Sequence, residues 1–225
     1  MIPKIIHQIF WDLNESFTMP ANGLLKNRKK IKEINAGFEY QYWNKVRCQD
    51  LVRLKEPKFY GTFQEFSNES KFEYCKFLIL YTFGGVYIDM DIEPNYSINS
   101  LVSLEQCEMI LFQDSSNQIC SKCLGCASSS HYLTRILYEF KINASTNCLH
   151  NIFSDVPVLP ITAIDINSRK IITQISKQFL TDKVIVFPQE TMLSFQGNGL
   201  FGHCNPDSSL KTSTKNQQTL PIRMY

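Results

Sequence analysis

The stretch that most constrains this chain is Phe83-Gly84-Gly85-Val86-Tyr87-Ile88-Asp89-Met90-Asp91. An apolar run opens on a glycine pair and carries two carboxylates at i and i+2. Read as a strand, it puts Val86, Ile88, Met90 and Ile92 on one face and Tyr87, Asp89, Asp91 and Glu93 on the other. Two like charges then stand roughly 6–7 Å apart, given a rise of ~3.3 Å per residue. Such a pair is unfavourable unless water covers it or a cation sits between the charges. Hard oxygen ligands with open positions suit Mg²⁺ or Mn²⁺ bridging to a phosphate. Asp89 and Asp91 are therefore expected to hold a divalent ion that grips a diphosphate.

The rest of the chain reads as one α/β domain. Ile2 to Trp11 is a buried first strand, and Ala21 to Ile34 a basic helix with Leu24, Leu25, Ile31 and Ile34 inward. Phe38 to Trp43 alternates aromatic and polar residues, as a strand does. Helices are expected over Lys45–Leu54 and Lys71–Phe83, the second carrying Phe72, Cys75, Ile79 and Phe83 at helical spacing and ending at Gly84. Met109–Phe112 and Val184–Phe187 are short buried strands; His131–Lys141 and Lys170–Leu180 are helices. Strands alternating with helices predict a mainly parallel central sheet flanked by helices, over residues 1–204. Residues 205–225 read as a polar C-terminal tail.

At 225 residues, 44% hydrophobic, the chain is long enough for one sizeable core. A net charge of +2 signals neither nucleic-acid binding nor membrane attraction. No run approaches the ~20 apolar residues that span a bilayer, and Lys4 and His7 interrupt the N-terminus as a signal peptide. The expectation is a cytoplasmic protein with no transmembrane segment and no nucleic-acid partner. The eight cysteines are then reduced, and Cys120, Cys123 and Cys126 are read as buried thiols rather than a zinc site, which needs four ligands. The Asn-x-Ser sequons at Asn14, Asn68, Asn95 and Asn143 matter only in a secreted protein.

Ile2 to Phe10, and then Leu80 to Asp91, resemble the glycosyltransferases with a DXD sugar-binding region. That group includes the yeast initiating α-1,6-mannosyltransferase type, the inositol-phosphoceramide mannosyltransferases and, more distantly, the clostridial toxin glucosyltransferases. The resemblance is clear over residues 1–11 and about 68–95, looser from Ile110 to Val186, and thin beyond. It implies a GT-A fold, a single Rossmann-like domain, a UDP- or GDP-sugar donor, Mn²⁺ or Mg²⁺, and a glycan, lipid or protein acceptor. Asp89 and Asp91 match the DXD pair, and Tyr87 an aromatic residue beside the nucleotide. Glu73 stands where the family has Asp, and Lys76 where it has Arg; those family residues bind the donor sugar and its phosphate. Lys lacks the bidentate guanidinium fork, and Glu reaches one methylene further. Phe10 stands where the family has Trp near the base, and Trp11 follows it. His203, with Ser208 or Ser209, represents the family's closing element, whose Trp is absent.

Each assignment has a plainer counterpart. Ser70 to Glu73 fits a capping box, and Lys76 at i+3 pairs with Glu73 on a helix surface. Gly84 and Gly85 are backbone punctuation. His7 fits a satisfied core histidine, and Phe10 and Trp11 core aromatics. The expected reaction moves a hexose-type sugar to an acceptor hydroxyl, with retention as the resemblance implies. If the chain inverts instead, Asp114, Asp155 or Asp165 must act as base. The alternatives are a weak or inactive nucleotide-sugar-binding protein and, further off, a DxD phosphohydrolase, against which Glu93 argues.

Overall fold

A computed structural model describes residues 1–11, 22–113, 118–153, 163–178, 183–188 and 193–195, with the side chains of 147–153 and 193–195 left aside. His203, Asp114, Asp155, Asn14 and the expected tail lie outside the described residues.

Six strands form one sheet: β1 (Ile5–Ile9), β2 (Glu39–Trp43), β3 (Gly85–Ile88), β5 (Met109–Gln113), β6 (Cys123–Cys126) and β7 (Val184–Pro188). Their order is β2-β1-β3-β6-β5-β7. The β1–β2, β1–β3 and β5–β7 pairs are parallel, and β6 runs antiparallel to both its neighbours. A second, two-stranded ribbon pairs β4 (Ile92–Pro94) with β8 (Leu193–Phe195). The sheet is thus mainly parallel, with one reversed strand that the cysteine spacing concealed.

Both faces are covered. One carries α2 (Lys45–Lys55), α3 (Tyr60–Gln64), α4 (Asn68–Phe83), α6 (His131–Phe153) and α7 (Ser168–Ser176), packed on Tyr87, Leu111 and Leu124. The other carries α1 (Asn22–Ile34) and α5 (Ile98–Leu101), packed on Val86, Ile88, Ile110 and Cys123. Alternate residues of β3, β5 and β6 therefore enter opposite cores. Strands buried on both faces read as continuous apolar runs, which is why β3 and β5 were visible in the sequence. Cys120 and Cys123 join one core and Cys126 the other, so the three thiols do not converge.

Helix α4 departs most from expectation. It starts at Asn68 rather than Lys71, capped by Ser67, whose Oγ accepts from the Ser70 amide at 3.1 Å. Ser70 is not the cap, and its own Oγ accepts from the Ile166 amide. Nor is the helix one-sided: Tyr74, Phe77, Leu78 and Leu80 are buried with Phe72, Cys75 and Ile79, while Phe83 is exposed. A helix apolar all round is a central one. In α1 the buried residues are Asn27 and Ile31, with Leu24, Leu25 and Ile34 only half-buried. Helix α6 continues well past Lys141, because Asn143, Ser145 and Thr146 each donate to the carbonyl four residues back and so tolerate the helix.

The glycine pair is obligatory. Gly84 closes α4 at φ +66° and Gly85 opens β3 at φ +99°. A Cβ on Gly85 would lie 2.5 Å from the Ile5 carbonyl oxygen, so β1 and β3 touch only because that side chain is absent.

Candidate functional site

Because β1, β2, β3, β5 and β7 run in one direction, their carboxyl ends share an edge of the sheet, where open α/β folds bind ligands. Phe10 and Trp11 leave β1 there, and Asp89 to Asp91 leave β3. The amino end of α4 lies at the same edge, since α4 runs back to the start of β3.

The two aspartates are not on the strand. β3 ends at Ile88, and Asp89–Ile92 forms a turn in which the Ile92 amide donates to the Asp89 carbonyl at 3.2 Å. The side-chain alternation expected through Glu93 therefore stops at Ile88. The turn is held from several directions. The Asp89 amide donates to the Lys122 carbonyl at 2.8 Å. Asn27 Nδ2 donates to the Met90 carbonyl at 3.2 Å, and Gln8 Nε2 to the Ile88 carbonyl at 3.1 Å. Tyr87, fully buried, donates its hydroxyl to Asp89 Oδ1. Burial raises the Asp89 carboxyl to a pKa of about 6; Lys76 opposes that rise and Asp91 adds to it.

Lys76 is fully buried beneath this turn. Its Nζ donates to Glu73 Oε1 at 2.6 Å and to the Ser121 carbonyl at 3.0 Å, and lies 4.8 Å from the Tyr87 ring centroid. Burial disfavours its charge, but Glu73, and then Asp89, outweigh that and its pKa is raised. The Glu73–Lys76 pair is thus not the surface pair that its i+3 spacing suggests. A second ammonium, Lys122, reaches Asp91 Oδ2 at 2.6 Å. Among the described residues, buried polar atoms without a hydrogen-bond partner include Glu73 Oε2, Asp91 Oδ1 and Trp11 Nε1.

His7 lies in β1 as a structural residue. Trp43 Nε1 donates to its Nδ1 at 3.1 Å, so Nε2 carries the proton and donates to the Gly84 carbonyl at 2.8 Å. Phe10 is half-buried and its amide donates to the Trp43 carbonyl; Trp11 is buried, with Lys45 Nζ 5.9 Å from its ring centroid. Asp165 is exposed in the segment before α7. It lines an open cleft of about 900 Å³ with Glu69, Ser70, Gln118, Asn167 and Arg169.

The structure therefore brings Glu73, Lys76, Tyr87, Asp89 and Asp91 into one linked cluster. Sequence reasoning missed Asn27, Gln8 and Lys122. Asn27 sits in a basic helix and Lys122 in a cysteine-rich stretch, and neither has a local signal. A polar Gln8 inside an apolar strand was the one visible hint.

Residues 12–108 match the family model described as the glycosyltransferase sugar-binding region containing DXD motif. This stretch is similar to that sugar-binding region. An uncharacterized glycosyltransferase of Acanthamoeba polyphaga mimivirus is 29% identical over 106 residues, covering 46% of this chain and 41% of the relative. Inositol phosphoceramide mannosyltransferase 3 of Schizosaccharomyces pombe is 28% identical over 102 residues, covering 45% of this chain and 27% of the relative. The chain thus spans well under half the length of these relatives. The PaToxG glycosyltransferase structure superposes with a TM-score of 0.52 at 12% identity, covering 79% of this chain and 69% of that one. The fold is of the GT-A type, and the DXD turn leaves the third strand of its sheet. Among the described residues, no helix is long and apolar enough to cross a membrane.

Proposed function

We propose that this chain transfers a hexose from a UDP- or GDP-sugar to an acceptor hydroxyl, with retention, using Mn²⁺ or Mg²⁺ held by Asp89 and Asp91. The observation that carries this reading is the DXD turn itself. Gln8, Asn27, Tyr87 and the Ile92 amide donate to it, the Lys122 carbonyl accepts from its Asp89 amide and the Lys122 ammonium donates to Asp91 Oδ2, yet a buried oxygen of Asp91 is left without a partner. Such orphan atoms cost stability, and beside a second carboxylate a bound cation is the partner that would satisfy this one. Two carboxylates are an incomplete donor set of the kind Mg²⁺ completes with water and phosphate oxygens. Among the described residues, no group of three His, Cys, Asp or Glu side chains forms a self-sufficient cage, so the donor's own diphosphate is needed. The bound ion supplies Lewis-acid stabilisation of the leaving diphosphate.

The protein's own residues have separable tasks. Glu73, with Oε2 unpartnered, orients hydroxyls of the donor sugar. Lys76 is too deep to leave its place; it holds Glu73 in position and keeps Asp89 ionised. Tyr87 fixes the Asp89 rotamer. Phe10 and Trp11, at the carboxyl end of β1, stack on the base in this reading, with Trp11 Nε1 as a donor. His203 is proposed as a late contact to the diphosphate. The cleft beside α4 is the acceptor's entrance. Relatives named as mannosyltransferases make a mannosyl donor the first to try.

The test is a screen of UDP- and GDP-sugars for donor hydrolysis, with and without Mn²⁺, on the wild type, Asp89→Asn and Asp91→Asn. Metal-dependent release of UDP or GDP from one donor, lost in both variants, is the expected result. Equal release in the variants, or no binding of any donor with metal present, refutes the assignment.

A further inference from the structure

We propose that Lys122 is a donor-site residue with two positions. It neutralises Asp91 when no metal is bound, and it turns to the donor's diphosphate when the metal takes that carboxylate. The inference rests on the functional reading above and adds a residue to it.

The two lysines of the cluster differ in exposure. Lys76 is fully buried and pinned by Glu73 and the Ser121 carbonyl. Lys122 and Asp91 are about one-fifth exposed, at the mouth of the site. The Lys122 backbone is bonded to the DXD turn through the Asp89 amide, which fixes the root of the side chain beside Asp91. Its four-carbon stem ends in a compact point charge with three donors, suited to phosphate oxygens.

Charge balance gives the direction. Glu73, Asp89 and Asp91 face Lys76 and Lys122, so the cluster carries one excess negative charge, and Lys122 screens Asp91. A divalent ion on Asp89 and Asp91 reverses that sign and removes the reason for Lys122 to stay on Asp91. The site is then positive, and an arriving diphosphate is the next available anion. Lys122 thus competes with the metal alone and cooperates with the metal and donor together. A lysine with a purely structural role would not act in opposite senses on the two ligands.

The experiment titrates Mn²⁺ alone, and then UDP and GDP at saturating Mn²⁺, into wild type, Lys122→Met and Lys122→Arg by calorimetry, with circular dichroism confirming the fold. K122M is expected to bind Mn²⁺ alone about tenfold tighter and the nucleotide about tenfold more weakly; K122R is expected to recover the nucleotide affinity. Unchanged Mn²⁺ affinity or unchanged nucleotide affinity in K122M overturns the proposal while leaving the metal site standing. If Asp91→Asn binds Mn²⁺ as well as the wild type, the metal-site reading itself fails, and the role of Lys122 fails with it.

Discussion

Removing the ammonium of Lys76 tests how the core and the site share one ion pair. Lys76→Met keeps the length and apolar stem of the side chain but leaves Glu73, a buried residue, facing no cation. Deleting one member of a buried pair costs about 3–5 kcal/mol, because the other charge loses its compensation in a medium that solvates it poorly. Replacing both members removes the uncompensated charge. Glu73→Gln with Lys76→Met is therefore expected to be destabilised by only about 1–2 kcal/mol. Glu73→Gln alone falls between these, since Lys76 keeps the Ser121 carbonyl and Asp89. The assay is urea unfolding of the four proteins at pH 8 without metal, with the double-mutant cycle giving a coupling of at least about 2 kcal/mol. Additive losses would refute the reasoning.

The same variant carries a second prediction about Asp89. Lys76 is the main influence holding down a carboxyl that burial already raises to about 6. Without it the Asp89 pKa moves higher, and the carboxyl takes up a proton near neutral pH. K76M is then expected to need a higher pH than the wild type for half-maximal Mn²⁺ binding. An unchanged pH midpoint shows that the Lys76 field does not reach the DXD turn.

Two further outcomes follow from buried groups. His7 is held neutral, its pKa lowered by burial from 6.5 to about 4, so folding stability is full above pH 6.5 and falls as the pH drops toward 4. Between pH 7.5 and 5 this costs about 2 kcal/mol. Asp89, raised from 3.8 to about 6, acts with the opposite sign, its folded-state penalty being relieved as pH falls through 6; it returns about 1.4 kcal/mol over the same range. Metal-free wild type should lose under about 1 kcal/mol, and Asp89→Asn about 2 kcal/mol, in denaturant titrations at the two pH values; matching losses would contradict the opposed signs. Gly85→Ala places a Cβ 2.5 Å from the Ile5 carbonyl at φ +99°, and should lower stability by at least about 2 kcal/mol in the same assay.

How much of this was legible depended on whether a residue's role was written in its own neighbourhood. β1, β3, β5 and β7 announce themselves as apolar runs, and Gly84-Gly85 as a forced turn, so the layered α/β fold could be read directly. The Cys123–Cys126 strand could not, since Cys-Leu-Gly-Cys holds no β-branched or aromatic residue and its burial comes from β3 and β5 on either side. The DXD pair was visible, but its placement on a strand was not right. The strand stops where its partner β6 runs out at Cys123, a fact held thirty residues away. Asn27 and Lys122 were illegible for the same reason: each acts on the turn across more than thirty positions of chain.

Lys76 shows why the site and the fold cannot be altered independently. Tyr87 lies between Lys76 and Asp89, donating to one with its hydroxyl and covering the other with its ring. It also fills the core between β3 and the helices of one face. A substitution at Tyr87 therefore removes a hydrogen bond from the DXD turn, a wall from a buried ammonium and a large side chain from the core at once. Tyr87→Phe separates these effects. It keeps the volume and the ring over Lys76 and deletes only the hydroxyl, freeing Asp89 Oδ1. If Tyr87 serves mainly to pack, Y87F will match the wild type in Mn²⁺ affinity. If it fixes the Asp89 rotamer, as the geometry indicates, Y87F will lose about 1–3 kcal/mol of stability in urea, the cost of an unsatisfied buried acceptor, and bind Mn²⁺ several-fold more weakly.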